Sequence, residues 1–375
     1  MKRTFFLLPF LMLCISCKSQ EVAITIPPPP DTARLKMVFA GDAMGHMPVV
    51  NAGWVDSINN YDFFPCYELV TNYISKADIA IANLEVPLAG KPYSGYPQFS
   101  SPNEFGKGLK DAGFDVLINA NNHALDRGKK GFLHTLDAID SLQLLTTGSF
   151  RDSIDFKKRN PLILEKNKIK IALLNYTYSA NGFRPEKPTI LNFMDTVAIR
   201  KAIQGAKQLS PDLIIVAMHW GIEYARYPDK EQRTVAEFIK KCGADAIIGS
   251  HPHVIQPIER YYPDTTDKSK MFPVVYSMGN FLSNQRDRYR DGGLMIELNI
   301  EKIHKTYITS ISYVPAWVYK GIYNGRMIYR IVPPSKFPEA IKKYNISKAD
   351  SIKGSEFFND TRVHLNNIPE VPVIE

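Results

Sequence analysis

The stretch Leu213-Ile214-Ile215-Val216-Ala217-Met218-His219 sets the reading of the whole chain. Six consecutive apolar residues leave no wet face, so they read as a strand covered on both sides, with a histidine standing at its exit. The same unit recurs. Apolar runs at 35–41, 79–84, 116–120, 169–176, 246–249, 274–278 and 294–300 alternate with amphipathic stretches, among which 63–76, 129–142, 197–209 and 230–242 have helical spacing. That alternation predicts an α/β fold, a layered α/β sandwich of mixed sheets flanked by helices, with a mainly parallel sheet at its centre. Strict alternation from Tyr307 to Tyr313 predicts that 294–318 adds two adjacent strands with antiparallel pairing. No internal repeat is visible.

What stands at the strand exits is polar and able to bind metal. Asp42 follows the first run, Asn83 and Glu85 end the second, Asn121, Asn122 and His123 end the third, His219 ends the quoted stretch, and His251 and His253 follow 246–249. Five strand ends would bring these side chains to one sheet edge, the place where open α/β sheets hold ligands. Asp42, Glu85, Asn122, His219, His251 and His253 form an oxygen and nitrogen set without thiolate, which suits two divalent ions of Mn, Zn or Fe. Two ions about 4 Å apart would need a shared carboxylate, from Glu85 or Asp42, and would activate water against a phosphoryl or similar oxyanion. His123 is placed as general acid or transition-state donor and Asp126 as the group that orients it. Each residue also has a plain structural reading: Asp42 as a helix cap, Glu85 as a loop charge, Asp126 as a first-turn charge, a lone histidine as core or surface. Only their joint placement favours the metal site.

These pieces resemble the CapA family of capsule-synthesis or polyglutamate-biosynthesis proteins. The matching motifs are Gly41-Asp42-Ala43-Met44, Asn83-Leu84-Glu85, 121–128 (NNHALDRG), 219–224 (HWGIEY), 249–256 (GSHPHVIQ) and Gly279-Asn280-Phe281. The resemblance spans about 36–284 and implies a fold similar to the calcineurin-like metallophosphoesterases. It also implies a link to capsule or poly-γ-glutamate synthesis and partners among other capsule-synthesis proteins. Met44 stands where those enzymes usually place a ligating histidine, and Glu85 where they usually place a bridging aspartate. His46 is then a residue to replace the lost ligand or meet the substrate. Asn83 is expected to brace the ligands, Glu223 to anchor a loop or hold a basic substrate group, and Asn280 to fix loop geometry.

The ends of the chain read differently. Lys2 and Arg3 precede an apolar run that ends at Ser16-Cys17, too short to span a bilayer as a helix and similar to the lipobox of bacterial lipoproteins. Residues 1–17 are therefore expected to be a lipoprotein signal peptide, with Cys17 lipidated and the protein exported and anchored at a periplasmic or outer-membrane face. Simple cleavage is the alternative, since Cys14 stands where the lipobox usually has Leu. Residues 18–34, with Pro27 to Pro30, read as an extended tether, 35–320 as the domain and 321–375 as an appendage. Of the remaining cysteines, Cys66 and Cys242, a packed free thiol is preferred to a disulfide. The formal charge of +8 is scattered along 375 residues, which argues against nucleic acid and allows an anionic substrate. Two functions fit. One is a metal-dependent hydrolase acting on a phosphoester or an amide-linked polyanion. The other is a non-catalytic lipoprotein scaffold that grips an anionic surface polymer.

Overall fold

Burial on both faces, the property that marks the apolar runs, is supplied by two different kinds of partner. The computed structural model describes residues 32–262 and 270–371. The signal-peptide and Cys17 expectations, and most of the 18–34 tether, fall outside them. Along the chain, β1 (Ala33–Ala43), β2 (Ile79–Leu84), β3 (Val116–Ile118) and β4 (Leu145–Thr147) pair in parallel. A second sheet follows from β5 (Leu162–Lys166), β6 (Ile169–Thr177), β7 (Leu213–His219), β8 (Ala246–Ser250), β9 (Ile258–Tyr261) and β10 (Phe272–Val275), in the order β9-β10-β8-β7-β6-β5. Its four inner strands are parallel and its two edges antiparallel. The chain then returns to the first sheet. β11 (Asn280–Leu282) pairs with the tip of β1, while β12 (Gly292–Lys302), β13 (Thr306–Tyr323) and β14 (Arg326–Val332) extend the sheet in antiparallel fashion on its other side.

The alternation of side chains along each strand explains the layers. In β1, Met37 and Phe39 join Ile171, Leu173, Ile215, Ala217 and Ile248 of the second sheet in one core, so the two sheets pack face to face. Val38 and Ala40 point the other way, onto α1 (Asn103–Ala112) and α2 (Gly128–Ser141). Leu174 and Val216 likewise point away from the first sheet, onto α3 (Thr196–Gln208) and α4 (Lys230–Cys242). The protein is thus an α/β sandwich of two mixed sheets flanked by helices. The mixed sheets flanked by helices are as expected; the strand exits, expected on one sheet edge, come from two sheets, because an unbroken apolar run records burial without recording whether a helix or another sheet provides it.

Four aspartates set where the inner parallel strands begin. Asp78, Asp115, Asp212 and Asp245 each stand one residue before a strand. Their carboxylates accept from the backbone N–H of Lys36, Ala80, Lys170 and Ile214, each at 2.8 Å. In return each aspartate N–H donates to the carbonyl of the same partner residue, at 2.7 to 2.9 Å. Neighbouring strands are therefore pinned in register at the end opposite the candidate site.

Two expectations are corrected. The helix predicted over 63–76 is broken into Phe64–Tyr67 and Thr71–Ser75, with the Thr71 hydroxyl bonded to the Tyr67 carbonyl. No boundary falls near residue 320: β13 runs through to Tyr323, β14 pairs along its whole length, and α5 (Lys348–His364) buries Phe357 and Phe358 in the inter-sheet core. Cys66 and Cys242 are free thiols, Cys66 buried and pushed by that burial to a pKa of about 12. No helix among the described residues is long and apolar enough to cross a membrane.

Candidate metal centre

Gly41 makes the first ligand position. It is an extra residue in β1, since Ala40 pairs with Ala82 and Asp42 with Asn83, and such a bulge re-aims the side chain that follows. A Cβ at Gly41 would lie 2.0 Å from the Gly279 carbonyl oxygen, so only glycine lets β1 pass there. Gly249 is constrained in the same way before His251, 2.0 Å from the Tyr276 carbonyl oxygen. His251 and His253 flank Pro252 with φ of +103° and +58°, conformations that side-chain-bearing residues adopt at a cost and that gather at functional sites.

The exits of the two facing sheets meet here. Asp42, Glu85, His219, His251 and His253 are all buried. Asp42 and His219 belong with Glu85 to one group of mutually close donor atoms, His251 and His253 with Glu85 to another, each within 4.8 Å. Glu85 is common to both, and neither of its carboxylate oxygens has a hydrogen-bond partner. His251 Nδ1 is likewise buried and unpartnered. Asn122 joins through its Oδ1, 2.8 Å from His219 Nε2, which also lies 3.3 Å from Glu85 Oε1. Orphaned oxygens and ring nitrogens converging in a dry site are what a divalent cation would satisfy, so the donor set fits such a group.

The electrostatics point the same way. Burial raises Glu85 well above the usual carboxylate range and the nearby Asp42 charge adds to it, while burial and neighbouring imidazoles push His219 and His251 well below the usual histidine value. Asp42 is held below its ordinary value: burial alone would raise it, but the 3.0 Å contact with His253 Nδ1 and the 2.8 Å bond from Asn83 Nδ2 outweigh that. Asn83 also touches His219 Nδ1 at 3.3 Å, and so braces two of the five donors from behind.

His123 stands apart from both donor groups. Its Nδ1 is 2.8 Å from Asp126 Oδ2, and that oxygen also accepts from the Phe99 N–H at 2.8 Å. An oxygen that already accepts takes the imidazole N–H as well, which assigns the proton to Nδ1 and leaves Nε2 for a ligand. His46 is not brought into either donor group. It lies edge-on to Phe99 at 5.2 Å, Phe99 lies edge-on to His123 at 4.7 Å, and burial together with nearby cationic side chains lowers His46 to about 4. Glu223 is exposed at the mouth. The Asn280 amide donates to the His253 carbonyl at 3.3 Å, to Gln285 Oε1 at 3.0 Å and to the Arg290 carbonyl at 2.7 Å, tying the 283–291 loop to the ligand turn.

Sequence reasoning missed Phe99, which separates His46 from His123, and Tyr178, whose ring lies 4.6 Å from that of His251. Tyr178 directly follows β6, so it carried the strand-exit signal without being a ligand type. Phe99 lies in a loop and carried none.

The family model described as bacterial capsule synthesis protein PGA_cap matches residues 36–285. The chain belongs to that family. Among curated PGA_cap-type relatives, it is 29% identical over 277 residues to the capsule biosynthesis protein CapA of Bacillus anthracis, covering 71% of this chain and 64% of that one. It is 36% identical over 194 residues to the PGA biosynthesis protein CapA of Bacillus subtilis, covering 50% of this chain and 48% of that one. The aligned stretch is thus less than two thirds of either relative. Among solved structures, the chain is similar to the NAD nucleotidase of Haemophilus influenzae, with 12% identity, a TM-score of 0.49 and coverage of 88% of this chain and 63% of that one. It is also similar to the calcineurin-like phosphoesterase YfkN of Bacillus subtilis, with 13% identity, a TM-score of 0.43 and coverage of 75% and 90%.

Proposed function

We propose that this PGA_cap-family chain is an exported, lipid-anchored, metal-dependent hydrolase that cleaves a phosphoester or amide during synthesis or processing of an anionic surface polymer such as poly-γ-glutamate. The observation that carries the reading is Glu85: a buried carboxylate with both oxygens unpartnered, shared by two donor groups. Asp42, Glu85, Asn122 and His219 would hold one divalent ion, and Glu85, His251 and His253 a second. Bound there, the pair of ions would supply Lewis acidity and an activated water. The chain's own residues do the rest. Asp126 accepts the His123 Nδ1–H, so His123 would act as the acid in its doubly protonated form, giving its Nε2 proton to a leaving oxygen or nitrogen and returning to the neutral Nδ1–H ring. Phe99 packs against the His123 ring and keeps it from rotating. Asn83 fixes Asp42 and His219, and Asn280 fixes the turn that bears His253.

A second reading, a scaffold that grips the polymer without cleaving it, rests on Met44. That side chain is buried and offers no ligand atom where the related enzymes have a histidine. Membrane attachment and contacts with other capsule-synthesis proteins fit either reading.

Elemental analysis of the purified chain, beside Asp42→Ala and His253→Ala, tests the proposal, with a phosphodiester and a γ-glutamyl peptide assayed in parallel. About two divalent ions per chain, lost from both variants together with turnover, are expected. A metal-free wild type would sink the metal centre, and bound metal without turnover of any substrate would favour the scaffold.

A further inference from the structure

We infer that Arg127 and Ser94 are positioning residues for His123, holding its acceptor Asp126 and its packing partner Phe99 through one peptide unit, Gln98–Phe99. The inference rests on the proposed function only in taking His123 as the group that meets the leaving atom.

The peptide between Gln98 and Phe99 is gripped at both ends, and the grips lead back to two residues adjacent in sequence. Its N–H donates to Asp126 Oδ2 at 2.8 Å, the same oxygen that takes the His123 Nδ1–H at 2.8 Å. Its carbonyl accepts from the Ser94 hydroxyl at 2.5 Å. Ser94 Oγ in turn accepts from Nη2 of the Arg127 guanidinium. A hydroxyl that accepts from a group able only to donate sends its own proton elsewhere, and here the Gln98 carbonyl takes it. Every bond from Arg127 to Asp126 therefore points the same way, from a fixed cation to a buried carboxylate.

That order matters, because hydrogen bonds in series polarise one another and those ending on charged groups are the strong ones. It also runs from surface to site: Gln98 is exposed, Ser94 and Arg127 are half-buried, and Asp126 and His123 are buried. The rest of the hairpin is tied elsewhere. Ser94 and Ser100 exchange backbone bonds at 3.0 and 2.9 Å, the Ser100 hydroxyl donates to the Gly90 carbonyl at 2.7 Å, and the Ser101 N–H donates to the Pro87 carbonyl at 2.9 Å. None of these bonds involves the Gln98–Phe99 peptide, whose tilt is set by Ser94 on one side and Asp126 on the other.

Phe99 carries that tilt into the site. Its side chain is fully buried, edge-on to His123 at 4.7 Å and to His46 at 5.2 Å. A turn of the peptide would move the wall against which the imidazole packs and take a donor from the oxygen that receives its Nδ1–H. Arg127 and Ser94 reach His123 by this route, whereas the metal donors are braced by Asn83 and Asn280, so the two sets can be disturbed separately. The aspartate and arginine of the 121–128 motif thus do one job from two ends of a single peptide.

The test reads the imidazole directly. In the full chain carrying nitrogen-labelled histidine, with zinc added, the Nδ1–H resonance of His123 is identified by its loss in His123→Gln, and its exchange with water is measured by NMR at fixed pH. Ser94→Ala and Arg127→Ala are each expected to speed that exchange about tenfold, the worth of about one hydrogen bond. Zinc content and the resonances of His219, His251 and His253 should stay as in wild type, and Arg127→Lys, which keeps a donor for Ser94, should restore slow exchange. Where a substrate is turned over, kcat is expected to fall about tenfold in both alanine variants at unchanged KM. Ser94→Ala keeps the test decisive should Arg127→Ala fail to fold. No protected Nδ1–H at His123 in wild type, unchanged exchange in either folded alanine variant, or equal disturbance of the three ligand histidines overturns the inference. Turnover with unchanged exchange removes the positioning role and leaves the hydrolase; faster exchange in a chain that turns over no substrate removes the hydrolase and leaves the positioning role.

Discussion

At the scale of single residues, Glu85 and His123 divide the work, and that division can be measured. Glu85 belongs to both donor groups, so Glu85→Gln is expected to lower metal content at both positions, read as ions per chain. His123 belongs to neither and is oriented by Asp126 and Phe99. His123→Ala is accordingly expected to keep wild-type metal content and to lose turnover by about 10²- to 10⁴-fold, the usual worth of one proton donor. Equal metal loss in both variants would place His123 among the ligands instead. The donor types were legible in the sequence because each sits directly after an apolar run, a purely local signal. The choice of Glu85 over Asp42 as the shared carboxylate was not, since it depends on two turns from different sheets closing on one carboxylate. The place of His46, behind Phe99 rather than among the donors, was hidden for the same reason.

At the scale of elements, the aspartate clamps at the strand starts carry opposite electrostatic signs. Asp212 is held below its ordinary pKa: burial opposes this, but hydrogen bonds from Lys302 and Thr306 outweigh it. At Asp245 burial outweighs the Ile214 N–H and the Lys207 charge and raises it to about 6. An acid whose folded-state pKa is raised destabilises the fold once it ionises. Its effect therefore grows as pH rises from about 4 and levels off above about 6. Asp245→Asn keeps an acceptor for the Ile214 N–H and removes that titration. Compared with wild type, the variant is expected to gain about 2 kcal/mol of unfolding free energy in urea titrations between pH 4 and pH 8. A constant difference across that range would show that Asp245 does not titrate in the fold. The clamps explain part of what the sequence left open. Ile79, Val116, Leu213 and Ala246 were readable as strand starts, and the aspartate before each was visible, but nothing local told which strand each carboxylate would grip. The division into two sheets was hidden for a related reason, since Phe39 and Val38 look alike in a list of apolar residues although one meets a sheet and the other a helix.

At the scale of the whole molecule, residues beyond the family match still reach the site. The 283–291 loop bears Arg290, which covers Tyr224, and α5 holds that loop through the paired contacts of Arg288 with Asp360 at 2.8 and 2.9 Å. Phe357 of the same helix packs against Gly292, where a Cβ would come within 2.6 Å of its ring. Phe357→Ala is expected to cost about 3 to 5 kcal/mol in global stability. It should also speed amide hydrogen exchange at 286–292 before other segments; uniform exchange across the chain would show that α5 does not hold the loop. One contact described above has a further meaning in time. Asp42 and His253 meet across 211 residues of chain, and a ribosome makes one long before the other. Neither donor group is complete on an early nascent fragment, since Asp42 and Glu85 wait for β7 to bring His219 and Glu85 waits for β8 to bring His251 and His253. Each donor group draws on both sheets, so a chain that holds its ions has already joined them.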